Sequence, residues 1–179
     1  MFSSGKPNYE KLSANLRLAI NRLKLLEKKK TEIAIKSRKE IADFIRNGKI
    51  ERARIRVESI IREDLTVEAM EMVEMYCDLL LSRMAQIKST NNLDDGIEQP
   101  VANLLWATAK LSEVRELNVI SSQLEKKYGK TFKQACCSDL FGTINKSLIK
   151  KLSVEPPSRL LVEKYLEEVA RSYNVPYTP

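Results

Sequence analysis

The lysine and arginine side chains give this sequence its most evident chemistry, because a surplus of positive charge attracts anionic partners. Residues 1–62 hold 17 Lys and Arg against 7 Asp and Glu, whereas the remaining residues hold 14 against 17. The surplus therefore belongs to the first third of the chain. This surplus favours binding to a polyanion. The partner could be an anionic lipid surface, a nucleic acid or an acidic protein.

Three cations near the start of the chain are spaced as one face of a helix. At 100° per residue, Arg17, Lys24 and Lys28 fall within about 40° of one another. We call these three residues the basic stripe and expect them to bind lipid or a neighbouring subunit of an assembly. The alternative is a solvated face whose lysines pair with acids of a following helix, each exposed pair contributing about 0–1 kcal/mol.

A second basic group, the tip arginines, consists of Arg52, Arg54 and Arg56. Residues four apart in a helix share a face, whereas residues two apart do not. We therefore expect Arg52 and Arg56 to contact one partner together and Arg54 to face elsewhere. This group is also predicted to serve assembly or lipid binding.

Most catalytic and metal-binding chemistry is missing from the sequence. It has no histidine, which removes imidazole bases and most zinc sites. Its cysteines, Cys77, Cys136 and Cys137, form no CxxC pair, and their odd number argues against a disulfide framework. No GxxxxGK[ST], GxGxxG or GxSxG motif occurs. We therefore predict a non-enzymatic protein without catalytic residues, metal or cofactor.

Two long amphipathic helices are predicted to position the cations. Apolar residues recur at spacings of three and four over residues 12–45 and again over residues 50–87, and Asn47-Gly48 between them marks a helix end. Helices joined by so short a turn should fold back as an antiparallel hairpin, roughly 60 Å long at 1.5 Å per residue. The acids between Glu63 and Asp78 would then lie beside residues 17–30.

Shorter helices are expected after a polar loop at residues 89–96. We place them near residues 98–111, 114–128, 131–137, 143–152 and 157–173. Because isolated helices of this length are marginal in water, they should pack on the hairpin. The prediction is an all-α fold and one domain over residues 1–179, with the hairpin at about 8–88, the loop at 89–96 and the shorter helices at 97–173.

The last helix combines a core stripe with a candidate binding edge. The stripe falls within about 60° on a helical projection and consists of Val162, Leu166, Val169 and Tyr173. Leu161, Tyr165 and Glu168 lie to one side of it and are predicted to rim a groove that receives a partner helix, with apolar anchors and flanking charge. The alternative is a wide apolar arc that is buried throughout.

Long ordered strings in the sequence resemble one known family. Residues 15–84, from NLRLAINRLKLLEKKK to CDLLLSRM, are similar to the hairpin of the increased-sodium-tolerance-one family, the ESCRT-III-like regulators of membrane scission. Residues 144–177, INKSLIKKLSVEPPSRLLVEKYLEEVARSYNVPY, resemble the end of the same domain. The strings RLKLLEKKK, IERARIRVE and YNVPY are the most specific, and the resemblance covers nearly the whole chain.

The resemblance implies an ESCRT-III fold, in which a long hairpin carries shorter helices and a last helix folded back against it. It implies that the protein forms homo- or hetero-polymers on acidic membranes, the latter with charged multivesicular body proteins. These polymers would act in endosomal sorting, tubule fission and cytokinesis. The protein would be cytoplasmic and recruited to endosomal membranes and the midbody. In the family a flexible C-terminal tail binds the MIT domain of an AAA ATPase. This chain ends at VPYTP, so we expect only the N-terminal domain and no ATPase recruitment.

Two other classes of protein share parts of this pattern. A basic helical protein could bind nucleic acid, but aromatic residues are only 6% of the chain and are not interleaved with cations. Stacking platforms are thus missing, and no nucleic acid is expected. A passive coiled-coil scaffold would not need short helices to cover its hairpin. No apolar run approaches the roughly 20 residues of a transmembrane helix, which again favours the cytosol.

Overall fold

Eight α-helices form the regular structure of the computed structural model, which describes residues 5–179 with the side chain of Asp95 excepted. They are α1 Tyr9–Arg46, α2 Ile50–Ser82, α3 Met84–Ser89, α4 Asp95–Ala107, α5 Glu116–Tyr128, α6 Lys130–Cys137, α7 Lys146–Lys151 and α8 Arg159–Ser172. No strand occurs within residues 5–179. The all-α prediction is confirmed, and α1 and α2 form the predicted long hairpin.

The turn of the hairpin depends on Gly48. Its φ of 73° lies in the left-handed region, which glycine enters at low cost. The Gly48 amide donates to the carbonyl of Ile45 at 3.0 Å, and the Lys49 amide donates to the carbonyl of Phe44 at 2.8 Å. These two bonds are a Schellman motif, which satisfies the last carbonyls of α1. The chain is thereby turned, and α2 begins at Ile50.

The second long helix is shorter than the apolar spacing predicts. It ends at Ser82, and Arg83, with φ −110° and ψ 15°, separates it from α3. The Arg83 guanidinium donates to the carbonyl of Gly96 beyond the polar loop. Met84 and Ile87 are nevertheless buried as predicted. The loop is followed by α4, whose first turn is capped because the Asp94 carboxylate accepts from the Ile97 amide at 3.1 Å.

The chain divides into two compact units, each holding part of α1 and part of α2. Unit 1 comprises the residues up to Leu25 together with Ala69–Lys150. Unit 2 comprises Leu26–Glu68 and Lys151–Pro179. The single domain over residues 1–179 stays a prediction.

The core of unit 1 centres on α4, which packs against α5 and α6. Residues 101–107 of α4 are all buried. They include Trp106, and burial in the core is usual for a large apolar side chain. Asn103 is fully buried here and is satisfied on both sides of its amide group. It donates to the carbonyl of Gln99 at 2.7 Å and accepts from the amide of Asn145 at 2.9 Å.

The core of unit 2 joins α8 to the end of the hairpin. Its buried members include Ile41 and Ile45 of α1, Ala53, Val57, Ile60 and Ile61 of α2, and Val162, Leu166, Val169 and Ala170 of α8. The predicted core stripe of the last helix is thus confirmed, and Tyr173 packs half-buried against the same cluster. The helix begins at Arg159 because the Ser158 hydroxyl accepts from the Leu161 amide at 3.2 Å.

Candidate assembly and partner-binding surfaces

The basic stripe is carried by α1, which runs without interruption through its three members. Arg17, Lys24 and Lys28 are all exposed. None of them forms an ion pair within residues 5–179. Their charges are therefore not neutralised by the part of the chain that the structure describes, which is what an anion-binding surface requires.

Two leucines on α1 are exposed and were not predicted as part of the basic surface. Leu18 is 51% and Leu25 68% exposed. They are seven residues apart on the helix, so they lie in one line, about 80–120° around α1 from Arg17 and Lys24. Apolar side chains beside cations suit a protein partner and a lipid surface alike. Their position outside the leucine seam was the signal in the sequence that could have identified them.

Other cations of α1 are neutralised by their own chain. In unit 1, Arg22 binds Glu116 at 2.7 Å, and this hydrogen bond holds the pKa of the Glu116 carboxyl below its usual value. In unit 2, Lys30 pairs with Glu63 at 3.3 Å. Arg38 pairs with Asp64 at 2.8 Å, and Lys151, which belongs to α7, pairs with Glu68 at 2.9 Å. The pairing of α1 lysines with α2 acids, our alternative interpretation, therefore occurs at Lys30.

The three tip arginines have three different surroundings in unit 2. Arg52 is exposed and forms no ion pair within residues 5–179. Arg56 pairs with Glu40 and lies 5.9 Å from the centre of the Phe44 ring. Arg54 is bound on two sides by carboxylates, as described next. Among the three, only the Arg52 guanidinium can bind a partner without first breaking an ion pair. All three arginines nevertheless place positive charge at the same end of the hairpin.

Arg54 links α2 to α8 and to the residues that follow α8. Its guanidinium donates to Glu51 on its own helix at 2.5 Å and to Glu163 of α8 at 3.1 Å. Glu163 also accepts from the hydroxyl of Tyr177. The hydrogen bonds from Tyr177 and then from Arg54 lower the pKa of the Glu163 carboxyl. We call these four residues, Glu51, Arg54, Glu163 and Tyr177, the Arg54 cluster. Its hydrogen bonds connect α2 to α8 and to Tyr177.

Replacing Arg54 by alanine is expected to lower the melting temperature, because Glu163 loses the cation that compensates it in the folded state. Arg52→Ala, two residues away and without an ion pair, should leave the melting temperature nearly unchanged. Thermal unfolding followed by circular dichroism measures both. Equal melting temperatures for the two variants would show that the Arg54 cluster contributes no stability.

The same comparison has a predicted pH dependence. Because the folded pKa of Glu163 is lowered, its contribution to stability is present above the unfolded pKa of a glutamate, about 4.3. That contribution is lost as the pH falls through the lower folded pKa. The difference in melting temperature between wild type and Arg54→Ala should therefore shrink in acid.

Tyr165, one of the predicted groove residues, is also a structural residue of unit 2. Its hydroxyl donates to Asp64 at 2.9 Å, and the Arg38 guanidinium, itself bonded to Asp64, lies 5.8 Å from the centre of its ring. The ring is half-buried against the core of unit 2. Burial, followed by the hydrogen bond to Asp64, raises the pKa of the Tyr165 hydroxyl. Tyr165→Ala would therefore lower the stability of the fold as well as weaken the binding of any partner.

The other two groove residues are accessible. Leu161 is 36% exposed, and Glu168 is exposed. The neighbouring Leu160, which was not among the predicted residues, is 69% exposed. The outer surface of α8 therefore offers apolar and acidic side chains around the half-buried Tyr165 ring, which is the composition predicted for a site that receives a partner helix.

The described residues form no metal-binding group, and two of the three free cysteines, Cys77 and Cys136, are buried. No group of His, Cys, Asp and Glu side chains within residues 5–179 is arranged to hold a metal ion. Burial raises the pKa of the Cys136 thiol to about 11 and that of Cys77 to about 12, so neither is a ready nucleophile. Over the same residues, no helix has both the length and the apolar character needed to cross a bilayer.

Comparisons with known proteins agree with the resemblance in the sequence. The Ist1 family model, described as "Regulator of Vps4 activity in the MVB pathway", matches residues 13–176. The chain is 33% identical over 176 residues to the vacuolar protein sorting-associated protein IST1 of Saccharomyces cerevisiae, covering 94% of this chain and 59% of the yeast protein. It is 31% identical over 177 residues to the IST1-like protein of Dictyostelium discoideum, covering 98% and 47%. The chain thus spans only about half the length of these relatives.

A solved structure is similar over almost the whole chain. The S. cerevisiae Ist1 N-terminal domain, crystallised in complex with the Did2 MIM motif, superposes with a TM-score of 0.89 at 31% sequence identity. The match covers 97% of this chain and 96% of the yeast domain. Given the family match over residues 13–176 and this likeness in fold, the chain belongs to the Ist1 family.

Proposed function

We propose that this chain is a non-enzymatic assembly subunit and regulator of ESCRT-III-type membrane remodelling that co-polymerises with charged multivesicular body proteins. The observation that carries the proposal is the likeness to an Ist1 domain solved with a Did2 motif bound, since the fold is shared over almost the whole chain. The family description, a regulator of Vps4 activity in the MVB pathway, supports the same role. The protein would act at endosomal membranes in sorting and tubule fission, and at the midbody in cytokinetic abscission.

The assembly contacts are assigned to the basic stripe and the tip arginines. The stripe supports this role because its three charges are exposed and unpaired among the described residues. Its neighbours Leu18 and Leu25 add apolar area to a surface that would otherwise attract only by charge. At the tip, Arg52 is the residue best placed to reach a neighbouring subunit or lipid, because Arg54 and Arg56 are bound by their own chain.

The partner-helix site is assigned to the outer surface of α8. Leu161 would supply an apolar anchor, Glu168 would orient a basic side chain of the partner, and Tyr165 would form the floor between them. The contacts of Tyr165 with Asp64 and Arg38 support this arrangement, since they hold the ring in one position before a partner arrives. A preformed floor lowers the entropic cost of binding.

Isothermal titration calorimetry with a helical peptide from a charged multivesicular body protein tests the partner assignment. Leu161→Ala combined with Glu168→Ala should abolish binding without loss of stability, because both side chains are accessible. Arg159→Ala is the matched control on the same helix, because Arg159 is exposed and lies about 160–180° around α8 from Leu161 and Glu168. Tyr165→Phe keeps the ring and should still bind. A folded Leu161→Ala/Glu168→Ala variant with unchanged affinity would exclude this surface as the site.

A further inference from the structure

The turn that follows α6 presents two large apolar side chains to solvent. Leu140 is 72% and Phe141 57% exposed. They are consecutive residues, so their apolar surfaces adjoin. An exposed apolar pair becomes a candidate contact surface where its surroundings also suit a partner.

Hydrogen bonds hold this turn in one conformation. Asp139 has φ 52° and Gly142 φ 65°, so both residues adopt the left-handed backbone conformation that is common in turns. The Leu140 amide donates to the carbonyl of Ala135 at 2.8 Å, and the Ile144 amide donates to the Asp139 carboxylate at 3.2 Å. Leu140 and Phe141 therefore extend outward from an ordered turn.

An open groove of about 590 Å³ runs between this turn and α6. Its apolar lining includes the rings of Tyr128 and Phe132, which meet edge to face with centres 6.1 Å apart. Thr131, Gln134 and Ser138 add hydroxyl and amide groups to the lining. The groove can thus accept both an acyl chain and the oxygens of a polar headgroup.

The surrounding stretch is strongly basic, although it lies in the acidic part of the chain. Residues 126–150 hold six lysines and a single acid, Asp139. Two of the lysines are bound within unit 1, since Lys127 donates to the Tyr9 hydroxyl and Lys133 pairs with Glu125. The other four form no ion pair within residues 5–179 and are Lys126, Lys130, Lys146 and Lys150.

We propose that Leu140, Phe141 and these four lysines form a docking surface for an anionic lipid bilayer, here called the α6-turn surface. The two apolar side chains enter the boundary between headgroups and acyl chains, and the lysines bind the lipid phosphates. A bilayer fits better than an acidic peptide because Leu140 and Phe141 project from the turn instead of only lining the groove. The proposal goes beyond the assembly role, which uses residues of α1, the hairpin tip and α8.

A tryptophan placed in the turn tests insertion directly. The chain has one tryptophan, Trp106, which is buried, so Phe141→Trp adds the only exposed indole. With vesicles of phosphatidylcholine and phosphatidylserine, its emission should shift to the blue and be quenched by bromine on the acyl chains. Vesicle binding without shift or quenching would overturn the insertion of Phe141.

Vesicle sedimentation measures the contribution of the pair and of the charge. Leu140→Ser with Phe141→Ser should weaken partitioning onto phosphatidylserine vesicles by about tenfold or more, since both apolar side chains lose their transfer energy. Lys130→Glu with Lys146→Glu should weaken it as well, and vesicles of phosphatidylcholine alone should bind little. Met75→Ser is the matched control, because Met75 is 49% exposed on α2 between Glu74 and Asp78.

Three outcomes would overturn the proposal. The first is equal binding by wild type and the Leu140→Ser/Phe141→Ser variant. The second is equal binding to neutral and anionic vesicles. The third is preferential binding of an acidic peptide, poly-glutamate, that the double serine variant loses, which would make the surface a protein-binding site. Because the basic stripe is intact in all these variants, failure here leaves the proposed assembly role untouched.

Discussion

Replacing Leu166 by alanine is expected to lower the free energy of unfolding by about 2–5 kcal/mol, the range for large-to-small substitutions in a packed core. Leu166 is fully buried in the core of unit 2, among residues of both hairpin helices. The loss has two parts, the transfer of the side chain and the cavity that remains. Because this core joins α8 to the hairpin, the substitution should also release α8.

Urea denaturation followed by circular dichroism measures this loss, with Leu160→Ala as the control. Leu160 occupies the same helix but is 69% exposed, so its truncation should change stability by less than about 0.5 kcal/mol. Similar stabilities for the two variants would mean that α8 is not held by this core. Protease cleavage within α8 should increase for Leu166→Ala alone.

Reversing two charges of the basic stripe, with Arg17→Glu and Lys28→Glu, is expected to reduce co-assembly with an ESCRT-III subunit by about tenfold or more. Each reversal replaces attraction to an acidic neighbour by repulsion, and a loss of only 1.4 kcal/mol is a factor of ten. Both side chains are exposed and form no ion pair within residues 5–179, so helicity and melting should hardly change.

Sedimentation of mixtures with the partner subunit measures this effect. Lys88→Glu with Arg62→Glu is the matched control, because both cations are exposed, lie on α3 and α2 instead of α1, and form no ion pair within residues 5–179. Co-assembly should also weaken as salt rises, since the Debye length falls from about 10 Å at 0.1 M to about 3 Å at 1 M. Normal assembly of the Arg17→Glu/Lys28→Glu variant would leave the stripe as a solvated face.

Local patterns predicted much of the fold because the hairpin depends on local chemistry. The spacing of apolar residues marked the seams of α1 and α2, and Asn47-Gly48 marked the turn that Gly48 makes. In the first seam Ala34 is buried, whereas the adjacent Ile33 is 52% exposed. The smaller residue faces inward there, which hydrophobicity alone would not have predicted.

Contacts between distant residues account for what the patterns missed. The helix break at Arg83 is accompanied by a bond to Gly96, which no local spacing reveals. Tyr165 lies at the edge of the apolar arc, as predicted, but its structural role depends on Asp64 and Arg38, far away in the chain. Leu140 and Phe141 occur in no helical repeat, so periodicity says nothing about their exposure.

Charge could be counted from the sequence, but its availability could not. The tip arginines appeared equivalent apart from their spacing, yet Arg54 and Arg56 are bound to Glu163 and Glu40, whereas Arg52 is not. The basic stretch at residues 126–150 was hidden because the acids around it make the second part of the chain negative as a whole. Net charge over long segments therefore conceals local surfaces.

Electron microscopy of this chain mixed with a charged multivesicular body protein on anionic vesicles tests the central claim most directly. The proposal predicts filaments that contain both proteins, in which α1 contacts a neighbouring subunit and which disappear with the Arg17→Glu/Lys28→Glu variant. Filaments of the partner alone, with this chain left in solution at physiological salt, would contradict co-assembly.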